Sequence, residues 1–150
     1  YRRRSTFGWV QDRGIGDRLI RQIILGTKTA TACPKIIYSA TEIAELYDSV
    51  GHHMTVVDKD GTLRCSIFQV AVFETTFGNP DARLFRGEGY DNAEGFKKAH
   101  RHVWDDLLKQ RHSVLSNDTV LLVEVFKHVG SSALTRASSD ARIGVDIARS

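Results

Sequence analysis

Cysteine is scarce in this chain. Cys33 and Cys65 are too few for a disulfide framework, and no C-x-x-C pair is present. Reduced thiols, and with them a cytoplasmic or nuclear setting, are the resulting expectation. No apolar run approaches the roughly 20 residues of a membrane-spanning helix, so no membrane partner is expected. The histidines (His52, His53, His100, His102, His112 and His128) never reach a metal-binding spacing with cysteines or acids, so neither a metal nor another cofactor is expected. The opening Tyr1-Arg2-Arg3-Arg4 lacks an initiator methionine and a signal-peptide apolar segment, and it reads as a trimmed chain. Internal repeats and low-complexity insertions are missing too. What is present, 150 residues with 41% hydrophobic content, reads as one soluble domain able to build a core.

The net charge of +3 conceals an asymmetry. Residues 1–35 hold eight Lys or Arg against Asp12 and Asp17, a balance of +6, which leaves −3 for the remainder. A basic amino-terminal region beside an acidic body suggests a face for an anion, nucleic acid being the commonest. Arg2, Arg3 and Arg4 are read as a basic arm over residues 1–6, either gripping phosphates or merely solvated.

Hydrophobic periodicity gives a mixed α and β chain. Leu19, Ile20, Ile23 and Ile24 form a helical stripe that Asp17 can cap and Gly26 can end. Ser39-Ala40-Thr41-Glu42 is a capping box, opening a helix with Ile43, Leu46, Tyr47 and Val50 inward. Met54–Val57 is a strand, Asp60-Gly61 a hairpin turn, and residues 63–73 a returning strand apolar on both faces, as a central strand or barrel wall would be. Asn92 caps a second long helix whose inward face carries Phe96, His100, Val103 and Leu107, with Trp104 beside them. Thr119–Phe126 is a last strand, and residues 130–150 are read as a tail of uncertain order.

Gly26-Thr27-Lys28-Thr29-Ala30-Thr31 concentrates an amine and three hydroxyls directly after a helix. Such a pair can activate a nucleophile, hold a phosphate or polarise a carbonyl. The plainer alternative is a solvated Lys28 followed by β-branched residues that start a strand. Lys28 and Thr31 can converge only if this stretch is irregular, since side chains alternate along a regular strand.

Phe7-Gly8, the helix ending in this hexapeptide, Val50-Gly51, Asp60-Gly61, Gly87-Glu88-Gly89, His100 and the final strand together resemble the ASCH domain family over roughly residues 7–127. The resemblance implies an α+β domain over residues 7–129, a PUA-like small β-barrel flanked by helices. It further implies a cleft where the lysine connector meets the glycine-rich loop, binding single-stranded RNA or a modified nucleoside. Some members of that family hydrolyse acylated cytidine, and others cut single-stranded RNA. On this basis Lys28, Thr31 and Glu88 are the candidate catalytic residues. Lys28 would stabilise negative charge, Thr31 would be nucleophile or substrate positioner, and Glu88 would move the proton. The family shows E-G-E-G-D where this chain has Arg86-Gly87-Glu88-Gly89-Tyr90. An arginine in place of the first acid shifts weight from hydrolysis toward binding, with Lys28 and Arg86 as a phosphate clamp. Arg2, Arg3, Arg4, Lys28, Arg86, Trp9 and Tyr90 are thus the candidate RNA-binding residues, the aromatics as stacking platforms together with Tyr38. Hydrolase and non-catalytic protein-interaction domain stand as the alternatives, and the oligomeric state is open.

Overall fold

The structure, a computed structural model, describes residues 2–130 and 140–143. In chain order the elements are β1 (Arg2–Thr6), α1 (Ile15–Leu25), β2 (Ala30–Pro34) and a 3-10 turn (Lys35–Ile37). They continue with α2 (Ala40–Asp48), β3 (His53–Val57), β4 (Leu63–Thr76), α3 (Ala82–Gly87), α4 (Ala93–Lys109), β5 (Val120–Gly130) and β6 (Asp140–Ile143). One sheet runs β2-β5-β4-β3-β1-β6. The β2/β5, β5/β4 and β4/β3 pairs are antiparallel, and β1 lies parallel to both β3 and β6. Register shifts in β4 between Ser66 and Ile67 and between Gln69 and Ala71 bend this central strand, and the sheet curls into a half-barrel flanked by helices. The α+β, PUA-like architecture that the resemblance implies is the one observed.

Several local expectations hold to the atom. Ser39 Oγ accepts from Glu42 N at 3.1 Å while Ser39 N donates to Glu42 Oε1 at 2.8 Å, closing the capping box of α2. Asn92 Oδ1 accepts from Gly95 N at the start of α4. Gly26 is the left-handed C-cap of α1, with φ 83°. On α4 the rings recur every fourth residue, Phe96, His100 and Trp104. Phe96 stacks on His100 at 4.4 Å, His100 lies 4.7 Å from Trp104, and Phe77 packs edge-on against Trp104. Phe7, Ile20, Ile23, Met54, Ile67, Leu84 and Phe126 complete the interior.

Other expectations need correction. Of the arm expected over residues 1–6, Arg2–Thr6 is instead a strand hydrogen-bonded on both sides, and Arg3 is buried and paired with Asp48 at the end of α2. The first helix starts at Ile15, with Gly14 at its N-cap, so Asp17 sits inside the first turn and pairs with Arg21 and Arg64. Tyr47, Val50 and Val103 are exposed rather than inward. Val103 precedes Trp104 by one residue, about 100° around the helix, which takes it to the edge of the buried stripe. In β4 the bulge after Gln69 turns that amide inward and Val70 outward. The tail expected over 130–150 lies outside the described residues, apart from Gly130 at the end of β5 and the strand Asp140–Ile143.

Candidate functional site

The connector between α1 and β2 is pinned along its length. Thr27 N and Lys28 N donate to Gln22 O at 3.0 and 3.1 Å, satisfying the last turn of α1. Thr29 N then donates to Gly87 O at 2.7 Å, and Phe126 N donates to Thr29 O at 2.9 Å. This irregular tether lets Lys28 leave the alternation of β2. Its Nζ donates to Ala30 O at 2.7 Å and lies 3.6 Å from Glu88 Oε1, with both side chains buried. The solvated reading of Lys28 therefore fails.

Glu88 reaches the lysine because of how α3 ends. The segment that looked like a glycine-rich loop is a short helix capped by Asp81, whose carboxylate accepts from Arg83 N at 2.8 Å. Glu88 is its C-cap. Gly87 presses so closely on β2 that an added Cβ would come within 2.6 Å of Ala30 Cβ and 3.1 Å of Ala30 N. Only glycine allows this approach, and the approach sets the next residue, Glu88, against Lys28. The same carboxylate oxygen lies 3.4 Å from His100 Nε2. His100 Nδ1 is in turn 2.8 Å from Phe96 O. A carbonyl there accepts, so Nδ1 carries the hydrogen when the ring is neutral, and Nε2 then presents its lone pair.

Glu88, Lys28 and His100 line a cleft of about 250 Å³ with Trp9, Arg18 and Tyr90. Tyr90 is half-buried, with its ring edge-on to Phe96 and His100. Burial, reinforced by the Glu88 charge, raises its phenol above the usual range, and Arg18 partly offsets this. The wall carrying Trp9 and the start of α1 is built on Asp12. Its carboxylate accepts from Trp9 N at 3.2 Å, Gly14 N at 3.0 Å and Gly16 N at 3.0 Å, and Lys59 Nζ lies 3.4 Å away. Burial alone would raise the Asp12 pKa, but these donors outweigh it and hold the carboxyl below its ordinary value.

The remaining expected site residues lie elsewhere. Thr31 is buried in β2 opposite Glu124 and does not line this cleft. Ala30 meets α3 at Gly87, so strand alternation sends Thr31 to the other face of β2. Arg86 is exposed on α3, with its guanidinium 5.9 Å from the Phe85 ring, and it is not a cleft residue. Arg3 is engaged with Asp48, Arg4 is half-buried, and Tyr38 lines a separate apolar groove with Ile36 and Ile43. Three residues that shape the cleft were missed as site residues: His100, placed on the inward face of the second long helix, and Arg18 and Asp12. For His100 the signal was a polar group on an otherwise apolar stripe. For Asp12 it was an acid among glycines at 8, 14 and 16.

These features agree with what the chain resembles among known proteins. The model of the ASCH domain family matches residues 6–130. The chain belongs to the ASCH domain family. A crystal structure of an ASCH domain from Lactobacillus crispatus JV V101 superposes with a TM-score of 0.66 at 23% identity, covering 83% of this chain and 80% of that one. A second crystal structure, of a protein from Enterococcus faecalis V583, gives a TM-score of 0.66 at 19% identity, covering 88% and 82%. At such identities the likeness establishes the PUA-like fold and no more. No curated protein matches the sequence. Among the described residues no helix is long and apolar enough to cross a membrane.

Proposed function

We infer that this chain binds one nucleoside unit in the Lys28 cleft, presented by single-stranded RNA or as a free modified nucleoside. The supporting observation is a buried Lys28–Glu88–His100 cluster in a cleft of about 250 Å³ that Trp9 and Tyr90 also line. A base has a flat π-face suited to aromatic walls, and only an unstacked base can bring its edge to such a cluster. The carboxylate of Glu88 is an acceptor for an exocyclic amine, as glutamate is for the amino group of cytosine. The ammonium of Lys28 is a donor for a neighbouring carbonyl oxygen. A duplex, with its bases stacked and paired, cannot use these groups.

Titrating a short single-stranded RNA, a duplex of the same sequence, cytidine and an N4-acylated cytidine, with tryptophan fluorescence as readout, tests this reading. Single strand or nucleoside should bind and duplex should not. Glu88→Gln, which keeps the shape and removes the charge, should weaken binding at least about tenfold, the equivalent of one charge-assisted hydrogen bond. Equal affinity for duplex and single strand, or an unaffected Glu88→Gln variant, would count against it. Failure of every nucleic-acid ligand would leave the non-catalytic protein-interaction domain.

The Glu88 geometry favours hydrolysis as a second reading, on acylated cytidine or single-stranded RNA. One carboxylate oxygen faces both an ammonium and an imidazole, so a proton acceptor and an oxyanion stabiliser stand side by side. Because Thr31 is not a cleft residue, water rather than its hydroxyl is the fitting nucleophile, with Glu88 taking the proton. Product release from the acylated nucleoside by wild type, abolished in Glu88→Gln and retained in Thr31→Ser, would support this reading. Turnover that persists in Glu88→Gln would overturn it.

A further inference from the structure

The cations near the cleft are not equivalent. Lys28 is matched by the carboxylate of Glu88 and by the carbonyl of Ala30. Arg86, the other half of the expected phosphate clamp, is exposed outside the cleft. Arg18 remains. It lies in the first turns of α1, its side chain is exposed, and it lines the cleft together with Lys28, Glu88 and Tyr90.

The acid next to it in sequence does not neutralise it. Asp17 gives its two oxygens to Arg21 at 2.6 Å and Arg64 at 2.7 Å. Among the described residues, no ion pair or hydrogen bond engages the Arg18 guanidinium. Among the lysines, arginines and carboxylates lining the cleft, Lys28 and Glu88 match each other and one positive charge is left over, at Arg18. That surplus equals the charge of one phosphodiester. A guanidinium presents its donors as a planar fork that fits two phosphate oxygens at once, and an unpaired fork loses no internal partner when an anion arrives.

We propose that Arg18 is the phosphate-recognising residue of the cleft, so that the ligand is a nucleotide rather than a neutral nucleoside. This rests on the nucleoside-binding reading above and narrows it. The base goes to Glu88 and Lys28, and the phosphate stays at the exposed rim, where Arg18 meets it without the cost of burying another charge. A free nucleoside monophosphate and a phosphodiester within single-stranded RNA present the same group to this arginine.

Calorimetric titration of cytidine, its 5′- and 3′-monophosphates and a short single-stranded RNA separates these ideas, using wild type, Arg18→Ala, Arg18→Lys and Arg86→Ala. Wild type should bind at least one of the monophosphates or the RNA about tenfold more tightly than cytidine, the equivalent of one charge-assisted contact. Arg18→Ala should shrink that ratio to within about twofold, since only the cation is lost. Arg18→Lys should restore part of it, while Arg86→Ala should leave the ratio as in wild type. A 5′- against 3′-preference, or gain only with the RNA, identifies which source of phosphate the site takes. Cytidine binding without a phosphate preference would overturn this proposal and leave the cleft reading intact. A preference lost in Arg86→Ala but kept in Arg18→Ala would overturn it too. No binding of any ligand would overturn both.

Discussion

Two basic stretches lie in the first third of the chain, and they end differently. Arg2-Arg3-Arg4 suggested a phosphate-gripping arm, but β1 is held between β3 and β6, and Arg3 pairs with Asp48. The Lys28 connector suggested a site, and there α3 brings a buried carboxylate to the lysine. Both regions contain a cation with a distant acidic partner. In the first, the pair ties a helix end to a strand. In the second, it is buried beside a cleft, with an imidazole on the same carboxylate oxygen. Counting charge in a sequence window detects both and distinguishes neither, because the partner decides the role.

The sharpest way to break this comparison is to delete residues 1–6. An arm would be dispensable, whereas a strand paired on both sides is part of the sheet. The truncated protein should lose its cooperative thermal transition, since Ser5 and Thr6 are buried and Phe7 follows them into the core. A folded truncation with an unchanged midpoint would restore the arm.

Next in size is the buried pair. Lys28→Ala leaves Glu88 without its ammonium, and removing one member of a buried pair costs about 3–5 kcal/mol. Replacing both, as Lys28→Met with Glu88→Leu, should recover much of that loss while abolishing ligand binding. Urea denaturation of the single and double variants measures this coupling. A single-variant cost comparable with that of an exposed pair, below about 1 kcal/mol, would contradict the burial.

What could be read from the chain follows the distance over which each interaction acts. The capping box at Ser39 and Glu42, the Asn92 cap and the Gly26 C-cap are local chemistry, and each was legible before any fold was known. The apolar stripe of α4 was legible too, with an error of one position at Val103 because Trp104 carries the burial instead. The helix α3 escaped notice because six residues are too few to show a period, and its closing glycines looked like a loop. Lys28 and Glu88 were both singled out, but their contact depends on Gly87 packing on Ala30, which no local pattern encodes. Arg86 was misplaced for the same reason. The short helix α3 takes it to solvent, outside the cleft.

Asp12 offers a smaller and pH-dependent test on the cleft side of the comparison. Its folded pKa is depressed, so the native state holds its proton less tightly than the unfolded chain. Its contribution is therefore fully present above the unfolded value of about 3.9 and is lost as pH falls through the lower folded value. Asp12→Asn should cost about 1–3 kcal/mol at neutral pH, because one oxygen that accepts from backbone N–H groups becomes a donor. The variant should also show a shallower loss of stability below about pH 4 than wild type, read from urea midpoints across that range. Because the loop holds Trp9, its fluorescence in the ligand-free variant should shift as well. An unchanged acid limb would mean that Asp12 is not the group holding the loop.

The smallest effect is expected from the arm side. Asp48 is largely exposed, with 73% of its side chain accessible, although its partner Arg3 is 11% accessible. Coulomb attraction at such a position is screened by water and salt, and one partly exposed pair contributes no more than about 1 kcal/mol. Asp48→Ala should therefore lower stability by at most that amount, and the deficit should shrink in high salt. Its effect on RNA affinity should be negligible, since removing an acid from a true phosphate-binding arm would strengthen binding and steepen the salt dependence. A clear gain in RNA affinity for Asp48→Ala would mean that Arg3 is a binding cation held in check by Asp48. The two basic stretches would then share one function, and the distinction drawn between them would fall.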